Sequence, residues 1–207
     1  MSQATIAIID YEMGNLRSVQ KAFESIGCSA TITRNAQVID DASHVVLPGV
    51  GAFGDCMRNL ERFKLASSVR KTIKAGKPFL GICLGLQLLF TESEEFGIHR
   101  GLNILPGYVV NFHSTKTTMK IPHMGWNKIK FANPMPIFTG IPDGSYFYFV
   151  HSFYVKPNDQ TIIGTITDYG VSFASGVWKD NLFACQFHPE KSQRWGIQIL
   201  KNFSLLT

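Results

Sequence analysis

The sequence predicts an α/β protein with a mostly parallel central sheet, and three observations carry that expectation. Between residues 5 and 90, short β-branched or apolar runs alternate with segments of helical spacing. That order builds a parallel sheet covered on both faces. Within it, residues 79–90 pass from strand to helix across Gly81-Ile82-Cys83-Leu84-Gly85. After about residue 102, prolines, glycines and aromatics become dense. Short strands then dominate, which predicts antiparallel additions and hairpins in the C-terminal half.

Taken in order, residues 5–10 are a β-branched run ending in an acid, the first strand. Residues 15–26 put Leu16, Val19, Ala22, Phe23 and Ile26 on one helical face, and Gly27 stops the helix. Residues 29–33 and 44–47 read as the second and third strands, the latter ended by Pro48-Gly49. Helical patterns fill residues 55–63 and 66–75. Residues 79–82 form an apolar, buried strand, and residues 84–90 the helix after it. Further strands are expected at residues 108–112, 127–130, 146–150, 161–167, 171–177 and 182–187, and a last helix at 192–203. No repeat, low-complexity stretch or linker divides the chain, so residues 1–207 read as one domain.

The composition narrows the class. With 207 residues, 45% hydrophobic and 17% charged, the chain can fill a core and is too apolar for disorder. No apolar run approaches the roughly 20 residues of a membrane helix. Met1-Ser2-Gln3-Ala4-Thr5 enters a strand without a basic flank, so no signal peptide is read and a cytoplasmic location is expected. Cys28, Cys56, Cys83 and Cys185 make no CxxC pair, which argues against zinc ribbons and redox dithiols and for reduced thiols. The net charge of +5 is scattered, with Lys116 and Lys120 the nearest thing to a patch, so nucleic acid is not the expected partner. His99 and His113 have no ligand spacing to each other or to the cysteines, and no metal is assigned.

Gly81-x-Cys83-x-Gly85 is the thiol form of a nucleophile elbow. Flanking side chains would clash in so tight a turn, and the helix N-terminus turns its partial positive charge toward the sulfur. A base is available in Gln186-Phe187-His188-Pro189-Glu190: His188 can move the protons, and Glu190 can hold the imidazole tautomer. Nucleophile, then His, then acid is not the order of the serine α/β-hydrolases. Pro48-Gly49-Val50-Gly51-Ala52-Phe53-Gly54 is a literal GxGxxG, but it follows the third strand, and no acid ends a strand some 20 residues later. Its backbone suits an oxyanion better, with a donor from Val50 or Gly51 and a second from Leu84. Gln87 lies one helical turn past Cys83, where substrate contact and a polar surface role both remain open. Glu92, Glu94 and Glu95 read as a charge run in which spacing singles out none. The aromatic run at 146–153 reads as core, with His151 a hydrogen-bonded structural residue. In Pro122-His123-Met124-Gly125-Trp126-Asn127, apolar groups stand in an expected turn, which suits a partner or a folded-back loop.

Taken together and in this order, Gly81-Ile82-Cys83-Leu84-Gly85, Gln186-Phe187-His188-Pro189-Glu190 and the Pro48–Gly51 loop resemble the class I (triad) glutamine amidotransferases. Asp10-Tyr11-Glu12-Met13-Gly14-Asn15-Leu16 and the 122–127 segment narrow the resemblance to the glutaminase subunits of imidazole glycerol phosphate synthases. It spans essentially the whole chain. It implies a flavodoxin-like three-layer sandwich, glutamine as substrate, no cofactor, and a (βα)8-barrel cyclase partner in histidine biosynthesis that receives the ammonia. It also implies that Cys83, His188 and Glu190 form the triad and that Gln87 and Glu95 hold the glutamine head group. Gly51, Ser152 and Phe153 would line the same site, and Asn15, His123, Met124 and Trp126 would lie near the partner. Two positions depart from the pattern: Glu12 stands where many relatives have glycine, and Phe153 where tyrosine is usual. Three rivals stay open: a glutaminase serving another amidotransferase, a peptidase or γ-glutamyl hydrolase, and a silent interaction module.

Overall fold

The computed structural model describes residues 4–112 and 119–207, so His113, Lys116 and the first three residues lie outside the described residues. Five strands form the parallel heart of the sheet: β1 (Thr5–Ile9), β2 (Ser29–Thr33), β3 (His44–Gly49), β4 (Phe79–Cys83) and β14 (Leu182–Cys185). They run in the order β2-β1-β3-β4-β14, every neighbour parallel. That is the flavodoxin-like order, in which ligands bind beyond the carboxyl ends of the strands.

Alternation along β1 sends Ala7 and Ile9 into one apolar cluster and Ile6 and Ile8 into the other, so both faces of the sheet are covered. The first face packs α3 (Phe53–Arg62), α4 (Leu65–Lys74) and the short α5 (Leu84–Leu88) through Phe53, Leu60, Val69 and Leu86. The second packs α1 (Leu16–Glu24) and α6 (Gln193–Ser204) through Val19, Phe23, Ile199 and Phe203. Each such buried side chain contributes about 1.5–3 kcal/mol.

Beyond β14 the sheet turns antiparallel through β13 (Ser172–Lys179), β11 (Phe153–Pro157) and β7 (Gly107–Asn111), with β12 (Ile163–Asp168) also on β13 and β9 (Lys130–Phe131) on β12. Several short elements were not expected from the sequence. A six-residue helix, α2 (Ala36–Asp41), is too short to show a period and is started by the Asn35 side chain, which accepts from Gln37 N at 2.9 Å. β11 follows the aromatic strand β10 (Tyr146–His151) without a turn signal. The glutamate run lies in part on β5 (Glu92–Ser93), a two-residue strand paired with β6 (His99–Arg100).

The 122–127 segment is not a turn. It forms β8 (His123–Lys128), antiparallel to β10, and its side chains alternate between the interior and the surface. Met124 and Trp126 are exposed at 66% and 46%, whereas His123 is buried. The His123 ring stacks between Phe149 and Tyr169, and its Nδ1 meets His151 Nε2 at 2.9 Å. The tautomers follow from the backbone. The Phe153 carbonyl can only accept, so His151 Nδ1, 2.8 Å away, donates to it. His151 Nε2 therefore accepts from His123 Nδ1, and His123 Nε2 accepts from Asn127 Nδ2 at 3.2 Å. Both rings are neutral. Burial pushes His123 down to about 4, and burial with the neighbouring His123 pushes His151 down to about 3.

Two outcomes are expected. A Cβ on Gly85 would overlap the Leu47 carbonyl oxygen, a backbone atom that cannot move aside. Gly85→Ala is therefore expected to cost about 3 kcal/mol or more in urea denaturation, and a wild-type midpoint would contradict the packing described. The second concerns acid. Both histidines have folded values below the ordinary 6.5. Their contribution to stability is thus complete above pH 6.5 and lost as pH falls toward 4, a decline of about 3 kcal/mol for each ring. Unfolding free energies measured across that window should fall for the wild type and fall less steeply for His123→Gln. A flat wild-type profile would count against neutral, buried rings.

Candidate active site

Parallel pairing brings three chain segments to one edge. Gly49 at the end of β3 is in register with Cys83 at the end of β4, and Cys185 of β14 with Ile82. The glycine loop, the thiol and the Gln186–Glu190 tip therefore emerge side by side. Cys83 is almost buried and has φ 55 and ψ −109, the left-handed strain of an elbow, which costs about 1–3 kcal/mol. The turn closes because Gly81 and Gly85 leave room for β4, α5 and β3 to touch. The helix that follows is shorter than its apolar pattern, ending at Leu88 rather than Phe90, where Leu89 and Phe90 continue as tight turns.

His188 and Glu190 come from a tip locked by backbone bonds. His188 N donates to Tyr148 O at 2.9 Å, and Ser192 Oγ donates to His188 O at 2.6 Å. His188 Nδ1 lies 2.7 Å from Glu190 Oε1, and both side chains are almost fully buried. Burial opposes a charge on the ring, but the Cys83 sulfur and the Glu190 carboxylate outweigh it and raise His188 to about 10. His188 Nε2 makes no hydrogen bond in this resting geometry, and the Cys83 thiol points at Val150 O, 3.9 Å away.

A cavity of about 370 Å³ opens on the sulfur. Val50, Gly51, Leu84, Gln87, Glu95, Ser152 and Phe153, all expected from the sequence, line it together with Cys83 and His188. Glu95 stands apart from the other glutamates here. Its Oε2 accepts from Phe53 N at 2.6 Å, at the start of α3, and burial raises its pKa while that N–H opposes the shift. Glu94 faces elsewhere, accepting from Asn111 N at 2.6 Å. Gln87 is buried, not a surface residue: its Nε2 donates to Phe153 O at 3.0 Å and to Gln186 Oε1 at 3.1 Å. Both of its hydrogens are used, so only its Oε1 is free to meet a ligand, and only as an acceptor.

The glycine loop is held from below by residues that sequence reasoning missed. Tyr11 Oη donates to Pro48 O at 2.7 Å, and Cys56 Sγ donates to Val50 O at 3.6 Å. Burial pushes the Cys56 thiol up to about 12, so it remains a donor. Since a trans peptide points N–H opposite to C=O, the Gly51 N–H faces away from Cys56. Gln186, also missed, is fully buried with its Nε2 3.7 Å from Cys83 Sγ. The signal for it was present: in an extended tip, residues two apart share a face, and Gln186 stands two before His188.

Of the residues expected near a partner, Asn15, Met124 and Trp126 are exposed, while His123 is not, because the alternation of β8 turns it inward. Glu12 has φ 68, a conformation that glycine adopts freely, and its carboxylate pairs with Arg34 at 3.1 Å and with Arg62 at 3.8 Å on its own chain. Among the described residues, no group of His, Cys, Asp and Glu is arranged to hold a metal ion.

Comparison with known proteins agrees with this geometry. The family model described as glutamine amidotransferase class-I matches residues 7–206. A protein of Geobacter metallireducens named imidazole glycerol phosphate synthase subunit HisH is 52% identical over 206 residues, covering 98% of both chains. The Syntrophotalea carbinolica protein of the same name is 55% identical over 202 residues, covering 96% of this chain and 98% of that one. Its Aquifex aeolicus namesake is 52% identical over 197 residues, covering 95% and 94%. Among solved structures, PurLQS from Thermotoga maritima superposes with a TM-score of 0.71 over 98% of both chains at 21% identity, a likeness of fold. Over nearly its whole length, the chain belongs to the class I glutamine amidotransferases, in the branch of the imidazole glycerol phosphate synthase HisH subunits.

Proposed function

We propose that this chain hydrolyses glutamine through Cys83, His188 and Glu190 and delivers ammonia to a (βα)8-barrel cyclase subunit, for imidazole glycerol phosphate formation in histidine biosynthesis. The observation that carries the reading is the buried His188–Glu190 pair, held beside Cys83 at the floor of one cavity. The raised His188 suits an imidazolium at neutral pH, held between the Glu190 carboxylate and the sulfur.

The steps balance with these residues. Cys83 thiolate attacks the side-chain amide carbon of glutamine, and the carbonyl electrons move to oxygen. Backbone N–H groups of Leu84 and of Val50 or Gly51 receive that oxyanion. As the C–N bond breaks, His188 Nε2 gives its proton to the departing nitrogen, leaving a glutamyl thioester and ammonia. His188 next takes a proton from water, whose oxygen attacks the thioester and releases glutamate and the thiolate. Glu190 keeps the Nδ1 proton in place throughout. Glu95 offers a carboxylate to the substrate α-ammonium, and Gln87 Oε1 accepts an N–H.

The partner face is proposed at Asn15, Met124 and Trp126, with His123 acting from beneath the surface through its contact with His151. Four free cysteines suit a reducing compartment, and among the described residues no helix is long and apolar enough to cross a membrane. We place the work of the chain in the cytoplasm on that chemistry.

The test is the assembled complex. Cys83→Ser should lose glutamine-dependent product formation by about 10⁴-fold or more, yet cyclise normally with an ammonium salt at alkaline pH. A variant that fails with ammonium while the partner alone succeeds would break this division of labour. If wild type and variant both leave the cyclase's substrate, a phosphorylated ribulosyl compound, unchanged, another amidotransferase role takes its place. Within the triad, His188→Ala should lower kcat about 10²-fold further than Glu190→Gln, because the base handles protons in both half-reactions. Equal losses at equal stability would refute that ranking. Cys185→Ala should keep full activity, since that thiol is buried and held protonated by its burial.

A further inference from the structure

Besides His188, the Cys83 sulfur meets two polar groups of opposite kind. Val150 O, at 3.9 Å, can only accept, and so favours the neutral thiol. Gln186 Nε2, at 3.7 Å, can only donate. Which end of the Gln186 amide faces the sulfur is fixed from the backbone, not by choice. Phe153 O accepts, so the Gln87 group 3.0 Å from it is the NH₂. The second hydrogen of that NH₂ points to Gln186, 3.1 Å away, so Gln186 must present its oxygen there. The Gln186 NH₂ is left facing Cys83. Gln186 is 0% exposed, and no exchange with solvent competes for that donor.

We propose that Gln186 is a positioning residue of the reaction, whose side-chain N–H holds and stabilises the Cys83 thiolate. The proposal rests on the reading of Cys83 as nucleophile. A hydrogen bond to the charged form favours that form, and charge assistance strengthens it. The donor acts twice in each turnover: before attack, when the thiolate must be populated, and at thioester breakdown, when the sulfur regains its charge. With His188 on one side and Gln186 on the other, the anion has two donors and is drawn away from Val150 O. Phe153 O and Gln87 are the frame that keeps Gln186 turned the right way.

Gln186→Met keeps the length and removes the donor. Gln186→Glu keeps the shape, still accepts from Gln87, and sets a carboxylate against the sulfur. Far-UV circular dichroism and thermal unfolding establish that each full-length variant folds, and either one alone carries the comparison. The probe is iodoacetamide, with alkylation of Cys83 followed by peptide mass spectrometry from roughly pH 5 to 10, alongside kcat and KM of the complex. The alkylation midpoint should rise by about one pH unit in Gln186→Met and further in Gln186→Glu. At neutral pH kcat should fall about tenfold with KM within about twofold, and the loss should shrink as pH rises. A merely structural role would lower activity without moving the midpoint. Folded variants with wild-type midpoints, or a Glu variant at or below wild type, overturn the role of Gln186 while leaving the functional reading intact. A wild-type chain that neither alkylates at Cys83 nor hydrolyses glutamine overturns that reading and this proposal with it.

Discussion

The contact on which the site depends is the close approach of Gly85 to the Leu47 carbonyl. It lets α5 begin immediately after β4 and lie against β3, its parallel neighbour. Cys83 is thereby forced to φ 55 at the carboxyl end of β4, where it lines the cavity. The strain of that conformation, about 1–3 kcal/mol, is sustained by the packing of Leu84, Leu86 and Leu88 into the core beneath. Gly49, in register with Cys83, then brings the Val50–Gly51 loop within reach of whatever the sulfur attacks. A bulkier residue at either elbow glycine would separate these parts before any chemistry began.

A second constraint is the polarity of hydrogen bonding around one carbonyl. Phe153 O accepts from both His151 and Gln87. Because it cannot donate, it dictates the tautomers of the two histidines in one direction and the orientation of the two glutamine amides in the other. The chain of donors thus extends from Asn127 through His123 and His151 to Phe153 O, and from there through Gln87 and Gln186 to the sulfur. Every member is buried or half-buried, so water does not scramble the sense of the bonds. The same network ties the strand that carries Met124 and Trp126 to the floor of the cavity. It gives the exposed face a rigid, polar connection to the site, built from groups whose protonation is constant at neutral pH.

The surroundings of the loop that contains Glu12 illustrate how a departure is absorbed. A non-glycine residue at φ 68 carries a backbone cost, and its carboxylate adds a charge to the surface. Arg34 and Arg62 take up that carboxylate on the chain itself, with the Arg34 guanidinium also resting over the Phe63 ring. These are solvent-exposed pairs worth little in stability, but they direct Glu12 toward α3.

Much of this was legible in the sequence because it is local. Gly81-Ile82-Cys83-Leu84-Gly85 spells an elbow through the steric demand of the turn. The alternation of β-branched runs with helical periods gives the parallel sheet, and His188-Pro189-Glu190 brings imidazole and carboxylate together across two residues. What spacing could not decide was set by distance in space. Glu95 is distinguished from Glu92 and Glu94 only because the start of α3, some forty residues earlier, supplies its hydrogen bond. Segment 122–127 became a strand because β10 offered its edge, and its alternation sent His123 inward. Tyr11, Cys56 and Gln186 look like core or strand residues in one dimension, since nothing in their neighbours along the chain reveals which carbonyl or sulfur they meet. Backbone sterics and hydrophobic period are written locally and could be read directly. The donors around the sulfur depend on which strands lie side by side, and the folded sheet alone decided them.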